Sequence, residues 1–530
     1  MLIARRVLRS PKTSFSTSAR PSFSIRHASS SAHSETVSIL PPRLDYKPLL
    51  SSLESIQRNA TVRNASISVE QIAQAASLAT RRASLINESN VLKHQRSIIS
   101  NRVRNKQPGA VDDAKRLKKD IQTLMATLAD VESSLLGLSL RIPNDTHPDS
   151  PLGPEKNAKV VATLGPEPLP ADPNRDHLII GRQLGVIDFE SASIVTGSNW
   201  YFLRGAASVL EQALQSYALS VAVDHGFTPA SCPDVVRADI AARCGFSPRD
   251  RDGSSQAYQI TSTTPDAQQF CLAATAEIPL AGSFFDRNFF YPELPQRVVG
   301  IGKAYRPETS GGTDVRGLYR VHQFSKIELF VVSDEQSSER EFDRLVSLQK
   351  DLVAGLGLTV RVLDMPSEEL GASAYRKFDM EAWMPGKATW GEISSTSNCT
   401  SYQARRLLIT YNTPKPALPT DPADKSTPSL PPTTFAHTLN GTAAAIPRLI
   451  VALLENGVVL SSAERPEGSL TETVKNKLDS RRRPMATRTK GARKETLDEG
   501  IWIEKIKLPT VLRRFWIGKE QIGDVDIEWV

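Results

Sequence analysis

The sequence predicts an α+β protein: an amino-terminal antiparallel helical hairpin, then a larger domain of mixed strands and helices. Three observations carry this. Between residues 48 and 140, leucine and isoleucine recur with a 3.5-residue period, which keeps one seam facing a partner helix. From about residue 180 the pattern changes to short apolar runs and amphipathic stretches. A chain of 530 residues is too long for one ordinary core, so two or three domains are expected.

The first helix of the hairpin carries Leu78, Leu85, Leu92 and Ile99, seven residues apart. The second carries Leu117, Ile121, Leu124, Leu128, Val131, Leu135 and Leu138, in steps of four and three. Between them, Asn105, Lys106, Gln107, Pro108 and Gly109 signal a turn. At about 1.5 Å per residue, ~35 residues per strand reach roughly 50 Å. The arm bears Arg81, Arg82, Lys93, Arg96, Arg102, Arg104, Lys115, Arg116, Lys118 and Lys119, against only Glu88, Asp112 and Asp113 between Arg81 and Lys119. A solvated helical face explains charges in general; this imbalance better suits a phosphate backbone.

Beyond the arm, Pro143 and the prolines at 148–154 mark a linker. A helix is expected at 205–223, strands at 298–304 and 327–332, and a helix at 446–455. Residues 412–432 hold seven prolines and read as a surface loop. Residues 461–499 are polar, with nine basic residues and one acid from Lys475 to Lys494, and read as an insertion that cannot offset its ordering entropy.

Bulk properties narrow the class. Hydrophobic residues make up 40%, charged residues 23% and net charge is +7, as in a soluble globular protein with a weak basic bias. No apolar run is long enough to span a membrane. Cys232, Cys244, Cys271 and Cys399 match no zinc or CxxC spacing and read as isolated thiols. Residues 1–34 contain Arg5, Arg6, Arg9, Lys12, Arg20 and Arg26 and no acid, the composition of a mitochondrial transit peptide.

Four local motifs carry candidate chemistry. In the first, Thr275-Ala276-Glu277-Ile278-Pro279-Leu280, a buried carboxylate before a proline-stiffened strand end could hold an ammonium, or be structural. The second joins Arg306-Pro307-Glu308 to the run Arg320-Val321-His322-Gln323-Phe324-Ser325-Lys326-Ile327-Glu328 across a loop at 310–317. Its guanidinium matches phosphate geometry, and Phe324 offers a flat face to a base or to a core. The third, Gly391-Glu392-Ile393-Ser394-Ser395-Thr396-Ser397-Asn398, has the hard oxygens that magnesium prefers. In the fourth, His437-Thr438-Leu439-Asn440-Gly441-Thr442 is read as a glycine-containing turn ahead of a helix bearing Arg448.

Together these four motifs, with Gln403-Ala404-Arg405-Arg406, resemble the class II aminoacyl-tRNA synthetases and, within them, the seryl-tRNA synthetases, in order and spacing over roughly 48–460. The resemblance implies a catalytic domain at 180–530 built on an antiparallel sheet flanked by helices. It implies a homodimer, with 226–229 and Cys232-Pro233 resembling the dimer-forming motif. It also implies that the arm binds tRNA(Ser) and that the enzyme works in the mitochondrial matrix with serine, ATP and Mg²⁺. Arg306 and Arg448 would be catalytic. ATP would be held by Arg306, Pro307, Glu308, Val321, His322, Gln323, Phe324, Glu392, Ile393, Ser394, Ser395 and Arg448, and the metal by Glu392 and Ser395. Serine would meet Thr275, Ala276, Glu277, Arg306, Glu328, Asn440 and Thr442. One departure is Ser401, where the family usually has an acid. The rival readings are a catalytically silent paralogue that binds tRNA or a protein partner, and a synthetase for another amino acid.

Overall fold

The computed structural model describes residues 39–246, 257–261, 268–308, 317–413, 432–463 and 496–530. The basic leader at 1–34, the loop at 309–316, and most of the segments at 412–432 and 461–499 lie outside the described residues.

Ser68 opens the longest helix, α1 (Val69–Arg104), with a capping box: its side chain accepts from Gln71 N, while the Gln71 side chain accepts from Ser68 N. At 36 residues it runs about 54 Å. Gly109, at φ +73, starts the return helix α2 (Ala110–Ser139). Leu85, Leu117, Leu124, Leu128 and Leu135 are buried along the seam, as the period requires. The hairpin is shorter than the period suggested. Residues 47–62 form two short helices, Lys47–Ser51 and Leu53–Val62, packed on its base through Leu49 and Ala60, with Ile67 of the following connection in the same cluster. Asn64, at φ +47, and the Ser68 cap separate them from α1. Arg63 ties this base to the catalytic body, donating to Gly371 O at 2.6 Å and Ala374 O at 2.9 Å.

The body is organised by an eight-stranded sheet among the described residues. Its strands are β1 (Lys159–Leu164), β2 (Thr228–Ser231), β3 (Gln296–Tyr305), β4 (Gln323–Ser333), β5 (Val360–Asp364), β6 (Arg376–Met384), β7 (Thr389–Asn398) and β8 (His437–Ala445), in the order β1-β5-β6-β7-β8-β4-β3-β2. All neighbours are antiparallel except the edge pair β2–β3. Strand β4 is covered on both faces. Ile327, Leu329 and Val331 join one core, while Phe330 and Val332 join the other. The first core is closed by helices α3 (His177–Gln183), α4 (Ala206–Asp224), α5 (Ser338–Gly355) and α6 (Ile446–Gly457), of which α3, α5 and α6 also supply site residues or their supports. Strand Trp502–Leu508 pairs antiparallel with Val458–Ser461.

Two local expectations need correction. Glu277 does not precede a strand end; it begins a seven-residue helix, Glu277–Ser283, because Pro279 is tolerated in a first helical turn. Residues 437–442 are not a turn but part of β8. Gly441 sits mid-strand because a Cβ there would lie 3.1 Å from both Gln349 Nε2 and Thr396 Oγ1. Among the described residues, no helix is long and apolar enough to cross a membrane.

Candidate active site

Strand β4 is the axis of the site. Side chains alternate along a strand, so Phe324, Lys326 and Glu328 share one face, and at about 3.3 Å per residue the first and last are about 13 Å apart. At the Phe324 end an open cleft is lined by Arg306, Glu308, Leu318, Tyr319, Arg320, Val321, Phe324, Pro447 and Arg448. Arg306 follows β3 directly. Its backbone N–H donates to His322 O at 2.9 Å, and its guanidinium lies 5.3 Å from the Phe324 ring centre. Burial, then the charge of Arg448, lowers its pKa from the ordinary arginine value. Glu308 lies 3.6 Å from Arg320 Nε, so a carboxylate is fixed at the rim.

Arg448 projects from the first turn of α6. It donates through Nε to Tyr319 O at 3.2 Å and through Nη1 to Glu392 O at 3.0 Å, and its guanidinium stacks 4.9 Å from the Tyr319 ring centre. It also pairs with the Glu392 carboxylate at 3.2 Å. Burial alone would raise the Glu392 pKa, but Arg448, Lys377, Arg306 and Lys326 hold it down, to about 2. Glu392 and Ser395 would ordinarily face opposite sides of a strand. A bulge in β7 opposite Met380 and Glu381 skips Ile393, which places both on one face. Their donor set is oxygen only and one member is held ionised, so the pair fits a hard divalent cation. Ile393 instead enters the main core, and Ser394 Oγ donates to Thr442 O.

At the Glu328 end Thr275, Glu277, Glu328, Asn440 and Thr442 form a cluster of buried polar side chains. Thr275 Oγ1 donates to Glu328 Oε2 at 2.9 Å and accepts from Lys326 Nζ at 3.2 Å. Lys326 Nζ also pairs with Glu328 Oε2 at 2.6 Å. Glu277 is buried beside them and accepts from Gln403 Nε2 at 2.6 Å. Burial, then the charge of Glu328, pushes Glu277 up to about 7, against Gln403 and Lys326. A second bulge, in β8 opposite Ile327 and Glu328, sets Thr442 across from Glu328. Asn440, two residues away, donates to Cys399 Sγ at 3.4 Å. The thiol of Cys399 is pushed well up by burial.

Sequence reasoning placed most of these residues, but not all on the cleft. His322 turns aside: its Nδ1 lies 2.9 Å from Arg306 O and 2.8 Å from Tyr258 Oη, and its ring packs near Trp200. Pro307 and Gln323 do not line the cleft, and Ala276 is a buried residue before the Glu277 helix. Three contributors had been given no role. Lys326 lay inside a motif already singled out. Gln403 spans Glu277 and Thr438 Oγ1, the latter at 2.8 Å. Gln349, on α5, ties β7 to β8 by donating to Ser395 O and Thr442 O at 2.8 and 2.9 Å. No periodic or motif signal marks Gln349.

Comparison with known proteins places the chain in a family. Residues 258–421 match the tRNA synthetase class II core domain (G, H, P, S and T). The chain is 42% identical to the mitochondrial serine–tRNA ligase of Mus musculus, over 64% of this chain and 63% of that protein, so the match spans just under two thirds of the mouse relative. It is 36% identical to the serine–tRNA ligase of Treponema denticola, over 78% of this chain and 94% of that one. The seryl-tRNA synthetase of Pyrococcus horikoshii, solved in complex with ATP, superposes with a TM-score of 0.67 at 28% identity, over 78% of this chain and 94% of that one. The cytoplasmic enzyme of Naegleria fowleri, at 24% identity and a TM-score of 0.67, shares the fold. With 39% identity to the mitochondrial serine–tRNA ligase of Schizosaccharomyces pombe across 78% of this chain and 84% of that protein, the chain belongs to the serine–tRNA ligase family of class II synthetases.

Proposed function

We propose that this protein activates serine with ATP and transfers it to the 3′ end of tRNA(Ser) in the mitochondrial matrix, acting as a homodimer. The observation that carries the reading is the shared face of β4. It joins a cation-lined cleft at Phe324 to a cluster of buried polar side chains at Glu328 over about 13 Å, the scale of an extended aminoacyl adenylate.

In the first step the serine carboxylate attacks the α-phosphorus and pyrophosphate leaves. Arg306 meets the charge that grows on the α-phosphate, and Phe324 stacks under adenine with Arg448 on the other face. Glu308 accepts from the adenine amino group. Glu392 and Ser395 would hold Mg²⁺, which when bound neutralises phosphate charge. No side chain is needed as a nucleophile; positioning and preorganised charge suffice. Glu328 is assigned the serine ammonium, which would take the carboxylate position now held by the Lys326 ammonium at 2.6 Å and displace it. Glu277 then faces the hydroxyl, with Asn440 and Thr442 beside it. A pocket built to bond a hydroxyl rejects alanine because its polar groups would be left unpaired. In the second step the terminal ribose hydroxyl attacks the acyl carbon and AMP leaves.

The arm is read as the tRNA-binding element and the β2 edge as part of the dimer contact. A silent paralogue is disfavoured because Arg306, Glu308, Glu328, Glu392 and Arg448 are all retained. Serine-dependent ATP–pyrophosphate exchange, followed by charging of mitochondrial tRNA, tests the reading. Exchange driven by threonine, proline or glycine in place of serine would overturn it.

A further inference from the structure

We infer that His177 and Glu455 form a buried positioning pair for the nucleotide end of the cleft, holding Leu318, Tyr319 and, through them, Arg448 in place. The inference rests on the reaction proposed above.

His177 and Glu455 are both fully buried and take no part in the chemistry. Glu455 lies on α6, seven residues after Arg448, so the two are about two turns apart on one face of the helix. Its carboxylate accepts three donors: His177 N at 3.2 Å, His177 Nδ1 at 2.9 Å and Gly386 N at 2.9 Å. The opposite ring nitrogen, Nε2, accepts from Leu318 N at 3.3 Å. That donor on Nε2 leaves the ring proton on Nδ1, so the two hydrogen bonds select one neutral tautomer. The approach is close enough that a Cβ at Gly317 would lie 2.2 Å from Nε2.

The consequence reaches the cleft in one residue. Leu318 precedes Tyr319, whose carbonyl accepts from Arg448 and whose ring stacks under its guanidinium. On the other branch, Gly386 precedes Lys387, whose ammonium lies 5.1 Å from the same Tyr319 ring centre. One carboxylate thus anchors α3, the 385–388 turn and, through the His177 ring, the segment at Leu318 to the helix that carries Arg448. Asp176, His177 and Glu455 are also close enough to suggest a metal site. Their oxygen and nitrogen atoms are instead engaged by these hydrogen bonds and by Leu178 N on Asp176 Oδ1 at 2.8 Å.

The test compares wild-type protein with His177→Ala and His177→Gln, measuring ATP affinity by calorimetry and KM for ATP and for serine in pyrophosphate exchange. H177A is expected to weaken ATP binding and raise KM for ATP about tenfold or more, with KM for serine changed less than about twofold, because misplacing a charged group by an ångström is enough to lose such a factor. H177Q keeps an oxygen that can accept from Leu318 N and is expected to recover much of the ATP affinity. Unchanged ATP affinity in a folded H177A protein overturns the inference, as does an equal rise in both KM values. If H177A does not fold, His177→Asn decides instead, because its shorter amide cannot reach Leu318 N and Glu455 together: a rise in KM confined to ATP supports the role, while no rise or an equal one removes it. Wild-type protein without serine-dependent exchange would instead overturn the proposed reaction, and the ATP calorimetry would still decide the positioning role.

Discussion

The helical arm and the cleft on β4 use the same charged residue types in opposite ways. On the arm, Arg81, Lys93, Arg96, Arg104, Lys118 and Lys119 are exposed and have no ion-pair partner among the described residues, while Arg82, Arg102, Lys115 and Arg116 pair with local acids. In the cleft, Arg306 lies over Phe324, Arg448 over Tyr319 and against Glu392, and Lys326 against Glu328. Exposed cations attract a polyanion from a distance and weaken with salt. Held cations act at short range, where geometry decides their effect and salt matters little. One region is therefore suited to capture, the other to chemistry.

The sharpest way to break this contrast is Arg306→Ala. Losing one preorganised donor at a growing charge costs about 3 kcal/mol, so serine-dependent exchange should fall a hundredfold or more in a folded protein. Near-normal exchange would remove Arg306 from the proposed chemistry. The converse experiment replaces the distal arm, residues 86–127, by a short turn, leaving the packed base intact. Charging should fall on the order of a hundredfold as phosphate contacts are lost, while exchange stays within about twofold. A parallel loss of exchange would mean that the arm supports the cleft rather than capturing tRNA.

A third measurement concerns Glu277, whose carboxyl is raised to about 7. Below that value it is neutral; above it, the pocket gains a negative charge beside the substrate ammonium. KM for serine should therefore fall as pH rises from 6 to 8, by about tenfold at most for one group titrating near 7. E277Q should abolish that step. A KM that rises with pH, or the same profile in E277Q, would contradict the assignment. The smallest effect is expected from the Lys118→Ala, Lys119→Ala double variant. The slope of log affinity for tRNA against log salt should shrink by about two, with exchange untouched. An unchanged slope would place the nucleic acid on another face of the arm.

How much was legible beforehand differs between the regions for the same reason. The arm's seam depends on residues three and four apart, so periodicity alone marks Leu85, Leu117, Leu124 and Leu128 as buried, and they are. A seven-residue period does not distinguish a continuous helix from the base's separate pieces, where Leu49 and Ala60 pack from two short helices and Ile67 from the connection to α1. In the cleft, motif spacing marked Arg306, Phe324, Glu392 and Arg448. It did not show that His322 turns toward Tyr258, or that Ile393 leaves the cleft for the core.

By itself the sequence determined the family and the long seam of the arm, and it proposed the residues of the site, because residue identity and spacing along one chain carry that information. Only the tertiary structure decided which residues share a face. Two bulges, at Ile393 in β7 and Ala443 in β8, re-aim Glu392 toward Ser395 and Thr442 toward Glu328. A one-residue slip in a strand exchanges its two faces, and the pairing that sets the slip lies with residues far away in sequence. The same holds for Gln349, Gln403 and the His177–Glu455 pair. Each is defined by partners 35 to 278 positions away, joined only when the sheet and its covering helices close.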